Sequence, residues 1–440
     1  MFIKDKKGLK IASMLSMLLL VGCGNSGDEE IDSGVSSDGE TVVVEFFNQK
    51  PETTRQLEEL AQTFSEENEN VQIEITTIGS GEGAAGLQAK FTSNNAPAIM
   101  MLGGTSEIQR YRDTLVDMGD LEVVDSMLED LLIGGNINDT QLALPMNIEG
   151  FGWMYNKEIF EQAGIDAEAI ETYNDFVNAV ETLESQKEDL GLEAVFGFSG
   201  AENYIANQFA ANFTSPEYNH STMDAYESTE LNWEYGDRMQ MYTDLLNEYN
   251  AQPILSIDYS RSVEDLFVNE SVAMVHQGNW IVPTLNGIDP EFVENKLGIL
   301  PVFGESDTDG RIVSGAPWYI GVNSQMDQEV IDVSIDFINW MYLSDEGQRI
   351  LVEEMKYIPP LEGYDVENIT DPVSQTIYQS MLDGTNAAMT HNQMPNGWFQ
   401  AILFPEYQQY LDGGISWEEF EENTSAGFTE MREQDNSSDE

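Results

Sequence analysis

The chain has 440 residues, with 80 acidic against 18 basic side chains and a formal net charge of −62. Nucleic-acid binding needs clustered lysine and arginine, and no such cluster follows Lys10, so that class of partner is excluded. A content of 41% hydrophobic and 10% aromatic residues is enough for large cores, so the acidity reads as a solvated shell rather than disorder, and the length calls for two domains or lobes.

At the N-terminus, Lys4, Lys6, Lys7 and Lys10 precede the apolar run Ile11 to Val21, which has the length of a secretory signal and is too short for a membrane span. The run ends in Leu20-Val21-Gly22-Cys23, which resembles the lipobox of bacterial lipoproteins. The resemblance implies a signal over 1–22, acylation of Cys23, palmitate included, and a place on the outer face of the cell membrane; a buried free cysteine is the alternative. Residues 23–40 are rich in Gly, Ser and acid and read as a flexible linker. Cys23 is the chain's single cysteine, so no intramolecular disulfide forms. Metal binding is not expected either, because His220, His276 and His391 have no ligand spacing. Glu305 to Gly310 starts like a calcium loop, but Ala316 stands where the closing glutamate belongs, so it reads as a polar turn.

Order begins at Thr41. Val42 to Phe47 is a strand, and Thr53 with Gln56 forms a capping box ahead of Leu57, Leu60, Ala61 and Phe64 at helical spacing. Val71, Ile73 and Ile75 alternate as a strand, Ala84 to Phe91 suits a short helix, and Ala98 to Leu102 is the next strand. This alternation predicts an α/β fold with a parallel sheet. The same grammar continues through Leu142–Pro145, Gly152–Tyr155, a helix capped by Thr172 and Asp175, a strand over 195–198, a helix over 237–249 and a strand over 271–276. After Pro301 come a strand over 318–322, a helix through Ile331, Ile335, Ile338 and Tyr342, and another started by Asp345 and Gln348 that ends before Pro359-Pro360. The tail from 374 to 431 is mainly helical.

Four segments as a set resemble the extracellular solute-binding proteins of ABC sugar transporters, the family that includes maltose-binding protein. They are Leu144 to Lys157 with Ala163-Gly164, Leu266 to Trp280, Leu297 to Pro301 with Gly315 to Gln348, and Met394-Pro-Asn-Gly-Trp398. The resemblance implies a two-lobed periplasmic-binding-protein-like fold with a hinge and an interlobe cleft. It places the first lobe at 41–147 plus 298–350 and the second at 148–297 plus 351–440. It also implies a monomer without cofactor that holds an oligosaccharide and meets permease subunits. Sugars present apolar faces ringed by hydroxyls, so their sites need aromatic platforms and planar polar groups.

The resemblance assigns such roles to Glu149, Trp280 and Trp398, while Trp318, beside Gly315 and Pro317, is a further candidate. Asn48 and Lys50 in the loop after the first strand, Gly104 and Thr105 after the third, and Tyr204 and His391 complete the set. Leu102-Gly103-Gly104 stands where maltose-binding protein has an aromatic, and the Asn48 to Glu52 loop looks more like receptors for raffinose-type or isomalto-oligosaccharides. A cell-surface glycoside hydrolase, which needs two carboxylates flanking the bond, a receptor for a non-sugar solute and an adhesion protein are the competing readings. No Gly-x-Ser-x-Gly, phosphate loop or His-Glu-x-x-His occurs, so enzymatic catalysis is not expected.

Overall fold

The computed structural model describes residues 41–79 and 82–438, so the signal over 1–22, Cys23 and the linker over 23–40 lie outside the described residues. Strands β1 (Val42–Asn48), β2 (Val71–Thr77) and β3 (Ile99–Leu102) lead into a small hairpin, β4 (Asn136–Ile137) and β5 (Thr140–Gln141). Next come β6 (Leu144–Pro145), β7 (Glu149–Asn156), β8 (Ala194–Phe196), β9 (Val272–Gly278) and β10 (Leu297–Leu300). The last are β11 (Val313–Gly315), β12 (Tyr319–Val322) and β13 (Ala387–Ala388).

The first sheet has the order β2-β1-β3-β12-β6, with β1 parallel to both β2 and β3 and with β12 antiparallel to β3 and β6. Its inner strands β3 and β12 are buried along their length because both faces are covered, whereas the edge strand β2 alternates, with Gln72 and Glu74 exposed. Phe46 packs toward the helices Thr54–Glu67 and Gln328–Leu343 with Leu57, Phe64 and Phe337, whereas Phe47 faces the other way onto Leu87 and Ile108. The expected cap at Thr53 is not made. Its hydroxyl pairs instead with the Tyr357 hydroxyl at 2.9 Å, tying the start of the helix to a segment some three hundred residues away.

The second sheet is mixed rather than parallel. It runs β13-β11-β7-β9-β8 with β10 also on β7, and β7 is antiparallel to β9, β10 and β11. Trp153 of β7 is fully buried among Phe176, Phe196, Tyr242 and His276, with ring centroids 5.0–6.2 Å away. Helix Tyr173–Ser185 is capped as expected, the Asp175 N–H donating to the Thr172 hydroxyl at 3.1 Å. In the Tyr-Asn-Lys motif, Asn156 ends β7 and accepts from the Glu158 and Ile159 N–H groups, starting helix Lys157–Gln162.

The resemblance returned the chain to the first lobe at 298, yet β10 and β11 both pair with β7, and the chain rejoins the first sheet only at β12. Three segments therefore pass between the sheets: Met146 to Ile148, Ala316 to Trp318, and the stretch around Tyr357 and Ile358. They are bonded side by side, Met146 N–H to Trp318 O at 2.9 Å and Ile148 N–H to Ile358 O at 2.9 Å. Tyr342 pins the central one, its hydroxyl donating to Met146 O at 2.7 Å. Among the described residues, no helix is long and apolar enough to cross a membrane.

Candidate functional site

Where β1 ends, Asn48 folds the following loop onto itself. Its Oδ1 accepts the Lys50 N–H at 3.0 Å, and its Nδ2 donates to Lys50 O at 2.9 Å and Thr77 Oγ1 at 3.1 Å. Asn48 is fully buried and so shapes the loop rather than facing a ligand. The turn drives Lys50 inward, where it is 3% exposed, paired with Glu149 and with Glu52 at 2.8 Å, and 5.5 Å from the Tyr357 ring centroid. Burial pulls down the ammonium's pKa, but Glu149 and then Glu52 outweigh it, and the group stands well above the usual lysine value. Glu149 opens β7, is buried, and also accepts from Asn147 Nδ2 at 3.1 Å. Lys50, Glu52, Asn147, Glu149, Trp280 and Tyr357 surround a narrow recess of about 10 Å³ beside the crossing segments.

Trp280 follows β9 and is half-buried, its indole N–H donating to Gln277 Oε1 at 2.9 Å and its ring 6.0 Å from that of Phe151. Asn279 fixes this turn to β7 by accepting the Gly150 N–H at 3.1 Å. A side chain on Gly278 would put its Cβ 2.1 Å from the Trp280 ring, so the turn requires glycine there. Tyr204 is half-buried beside Gln277, and burial, with Glu202 nearby, raises its phenol well above the usual value.

A second group gathers at the end of β3. Gly104 has φ of 82° and lies so close to the second half that a Cβ would be 2.8 Å from Asn392 O. The Thr105 N–H donates to Gln393 Oε1 at 3.2 Å and its hydroxyl to Gly134 O at 2.9 Å. Asn392 Nδ2 donates to Pro317 O at 2.8 Å, next to half-buried Trp318. His391 is buried with its ring 5.4 Å from Phe151, and burial lowers its pKa to about 3, so it is neutral at physiological pH.

Trp398 does not join these residues. It is 1% exposed, packs edge-on to Phe428 at 5.6 Å, and gives its indole N–H to Thr424 O at 3.0 Å. With its face covered and its donor used, it is a core tryptophan of the second half. The other candidates fall in two neighbouring groups: Lys50, Glu149, Tyr204 and Trp280 near the hinge, and Gly104, Thr105, Trp318 and His391 where the ends of β3 and β11 meet the 390–393 segment.

Tyr357, Asn147, Gln277, Phe151 and Gln393 were missed. Tyr357 carried one available signal, since it stands just before Pro359-Pro360, where a helix must have ended. Asn147, Gln277, Ser314, Thr390 and His391 each hold a buried polar side-chain atom without a partner among the described residues. Such atoms are costly to leave unpaired, and here they border the seam between the two halves. Among the described residues no cluster of three or more His, Cys, Asp or Glu is placed to hold a metal ion.

Residues 50–348 match the model of the bacterial extracellular solute-binding protein family. A multiple sugar-binding protein of Streptococcus mutans is 20% identical over 324 residues, 71% of this chain and 72% of that one. Among solved structures, a chitin oligosaccharide binding protein superposes with a TM-score of 0.73 at 18% identity, covering 90% of this chain and all of its own. The solute-binding protein RafE in complex with raffinose gives 0.73 at 16%, over 89% of this chain and all of its own. These likenesses establish the two-lobed fold seen in such proteins.

Lys50 and Glu149 depend on each other. Lys50→Met leaves Glu149 buried without its counter-charge and is expected to cost about 3–5 kcal/mol in urea unfolding, as is Glu149→Leu. The double variant should lose far less than the sum; additive losses would show that the pair is not coupled.

Proposed function

The chain belongs to the bacterial extracellular solute-binding proteins, and from that premise we propose that it captures an oligosaccharide between its lobes and delivers it to an ABC transporter permease. The lobes divide at the three crossing segments. The observation that carries this reading is the seam itself. Two indoles, Trp280 and Trp318, stand there half-buried among planar polar side chains, and several of those side chains hold buried atoms without partners. Indole faces accept the C–H faces of sugar rings, and sugar hydroxyls supply both donors and acceptors. The names of the relatives support the same class of ligand.

Glu149 and Glu52 are both bonded to the one ammonium of Lys50. They are not set across a gap from each other, as hydrolysis of a glycosidic bond demands of its acid and base. In the proposed role the site binds and releases its sugar unchanged and the protein acts as a monomer. Its anchor is the acyl group on Cys23, with residues 23–40 as the tether and the outer face of the cell membrane as its location. Each buried methylene contributes about 0.8 kcal/mol, so two or more chains hold the receptor beside its permease.

Calorimetry of the protein without residues 1–22 against raffinose, stachyose, panose, maltotriose and chitotriose tests the reading. Raffinose or panose is expected to bind with one-to-one stoichiometry and to be recovered uncut. Steady cleavage, or no heat with any of the five, would contradict it, and maltotriose binding with raffinose and panose inert would reject the assigned specificity. Trp280→Ala is expected to weaken binding by about 2–4 kcal/mol, the loss typical of a buried aromatic anchor. In cells, Cys23→Ser should release a protein that still binds sugar; retention at the membrane would remove the lipid from the account.

A further inference from the structure

We propose that the cavity between the short helix Thr105–Tyr111 and the end of the last helix, Trp417–Ser438, binds an anionic group, a carboxylate, sulfate or phosphate, held by Arg110 from the first half and Arg432 from the second. The proposal adds a ligand class to the receptor reading and does not depend on it. The cavity measures about 480 Å³ and is lined by Arg110, Arg112 and Asp113 on one side and by Tyr226, Arg432 and Asp435 on the other. Three arginines at one cavity are a high concentration for a chain with 18 basic residues against 80 acidic ones. With two carboxylates among its lining residues the cavity is positive in sum. The Asp113 side chain is 91% exposed, and Asp435 accepts the Asn396 N–H at 2.8 Å and Asn396 Nδ2 at 3.3 Å.

Arg432 is 3% exposed. Its Nη2 donates to Gln393 O at 2.6 Å and to Ala225 O at 3.2 Å, and its guanidinium lies 5.4 Å from the Phe428 ring centroid and 5.9 Å from that of Tyr226. Its Nε is buried and has no hydrogen-bond partner among the described residues. Neither Arg432 nor the exposed Arg110 has a carboxylate within ion-pair distance among the described residues. Burial lowers the Arg432 pKa from the usual arginine value, and nearby Asp435 works against that. A guanidinium taken out of water without a bonded counter-charge is costly, and its planar fork matches carboxylate, sulfate and phosphate oxygens two N–H groups at a time. Ser106, also on the cavity wall, holds a buried hydroxyl without a partner among the described residues and adds a further donor. A metal cation or an apolar group would leave all of these unmet. Because the two arginines belong to different halves, an anion between them would also favour the closed arrangement.

Calorimetry of the protein without residues 1–22, at an ionic strength fixed with sodium chloride, against sodium sulfate, sodium phosphate and trigalacturonate tests the site, with raffinose and panose as neutral controls. At least one anionic probe is expected to bind with one-to-one stoichiometry. Arg110→Gln is expected to keep the fold by circular dichroism and to weaken that binding about tenfold or more, the scale of a lost hydrogen bond to a charged group. Arg432→Lys, which keeps the charge and loses the fork, should weaken it as well; if that variant does not fold, Arg110→Gln decides. Sulfate or phosphate binding on its own marks a free anion as the occupant, trigalacturonate binding with both ions inert marks an acidic sugar, and either result supports the site. No heat from any anionic probe, or wild-type affinity in folded Arg110→Gln, would overturn the site while leaving the receptor reading intact. Sulfate or phosphate binding without any sugar, neutral or acidic, would support the site and contradict the receptor reading.

Discussion

A buried lysine in a chain of net charge −62 is where the two halves of this protein are held in register. Desolvating an ammonium costs several kcal/mol, and attraction offsets that only when the counter-charges are close and well bonded. Lys50 meets that condition because Glu52 comes from its own loop and Glu149 from the first residue of β7, on the other sheet. The loop is turned inward by Asn48, Glu149 is placed by the Met146 to Ile148 crossing, and Tyr357, from the third crossing, lies under the ammonium. Moving one half relative to the other therefore strains the Lys50–Glu149 pair, and Lys50 would be left with Glu52 as its counter-charge.

The groups proposed to face a sugar are arranged around that point. Near it are Trp280, Gln277 and Tyr204, on or beside the end of β9; farther out are Trp318, Gly104 and His391. The outer group gains its second wall from residues 391–393, which reach Thr105 and Pro317 through Gln393 and Asn392. Each half thus supplies only part of the site. On the proposed function, ligand affinity includes the free energy of bringing the halves together, and a sugar contacting both would shift the protein toward the closed arrangement.

Much of the fold was legible because its signals are local. The run Val42 to Phe47, the alternation at Val71, Ile73 and Ile75, and the Thr172 and Asp175 cap depend on neighbours a few residues away, and all appear in the structure. What was not legible depends on pairing across long separations. The antiparallel neighbours of β7 cannot be read from its apolar pattern, which is compatible with either direction, and the capacity of Thr53 to cap a helix was diverted by Tyr357. At the site, Lys50 and Glu149 could be picked out singly, but their direct bond spans ninety-nine residues. Trp398 shows the converse: its motif resembles that of a cleft tryptophan, yet Phe428 and Thr424 from the last helix enclose it.

The central claim, that ligand draws two lobes together about a charge-paired hinge, is tested most directly by small-angle X-ray scattering of the protein without residues 1–22, before and after saturation with a bound sugar. The account predicts a smaller radius of gyration in the sugar-saturated protein. An unchanged radius of gyration at full saturation, established on the same sample by calorimetry, would contradict it.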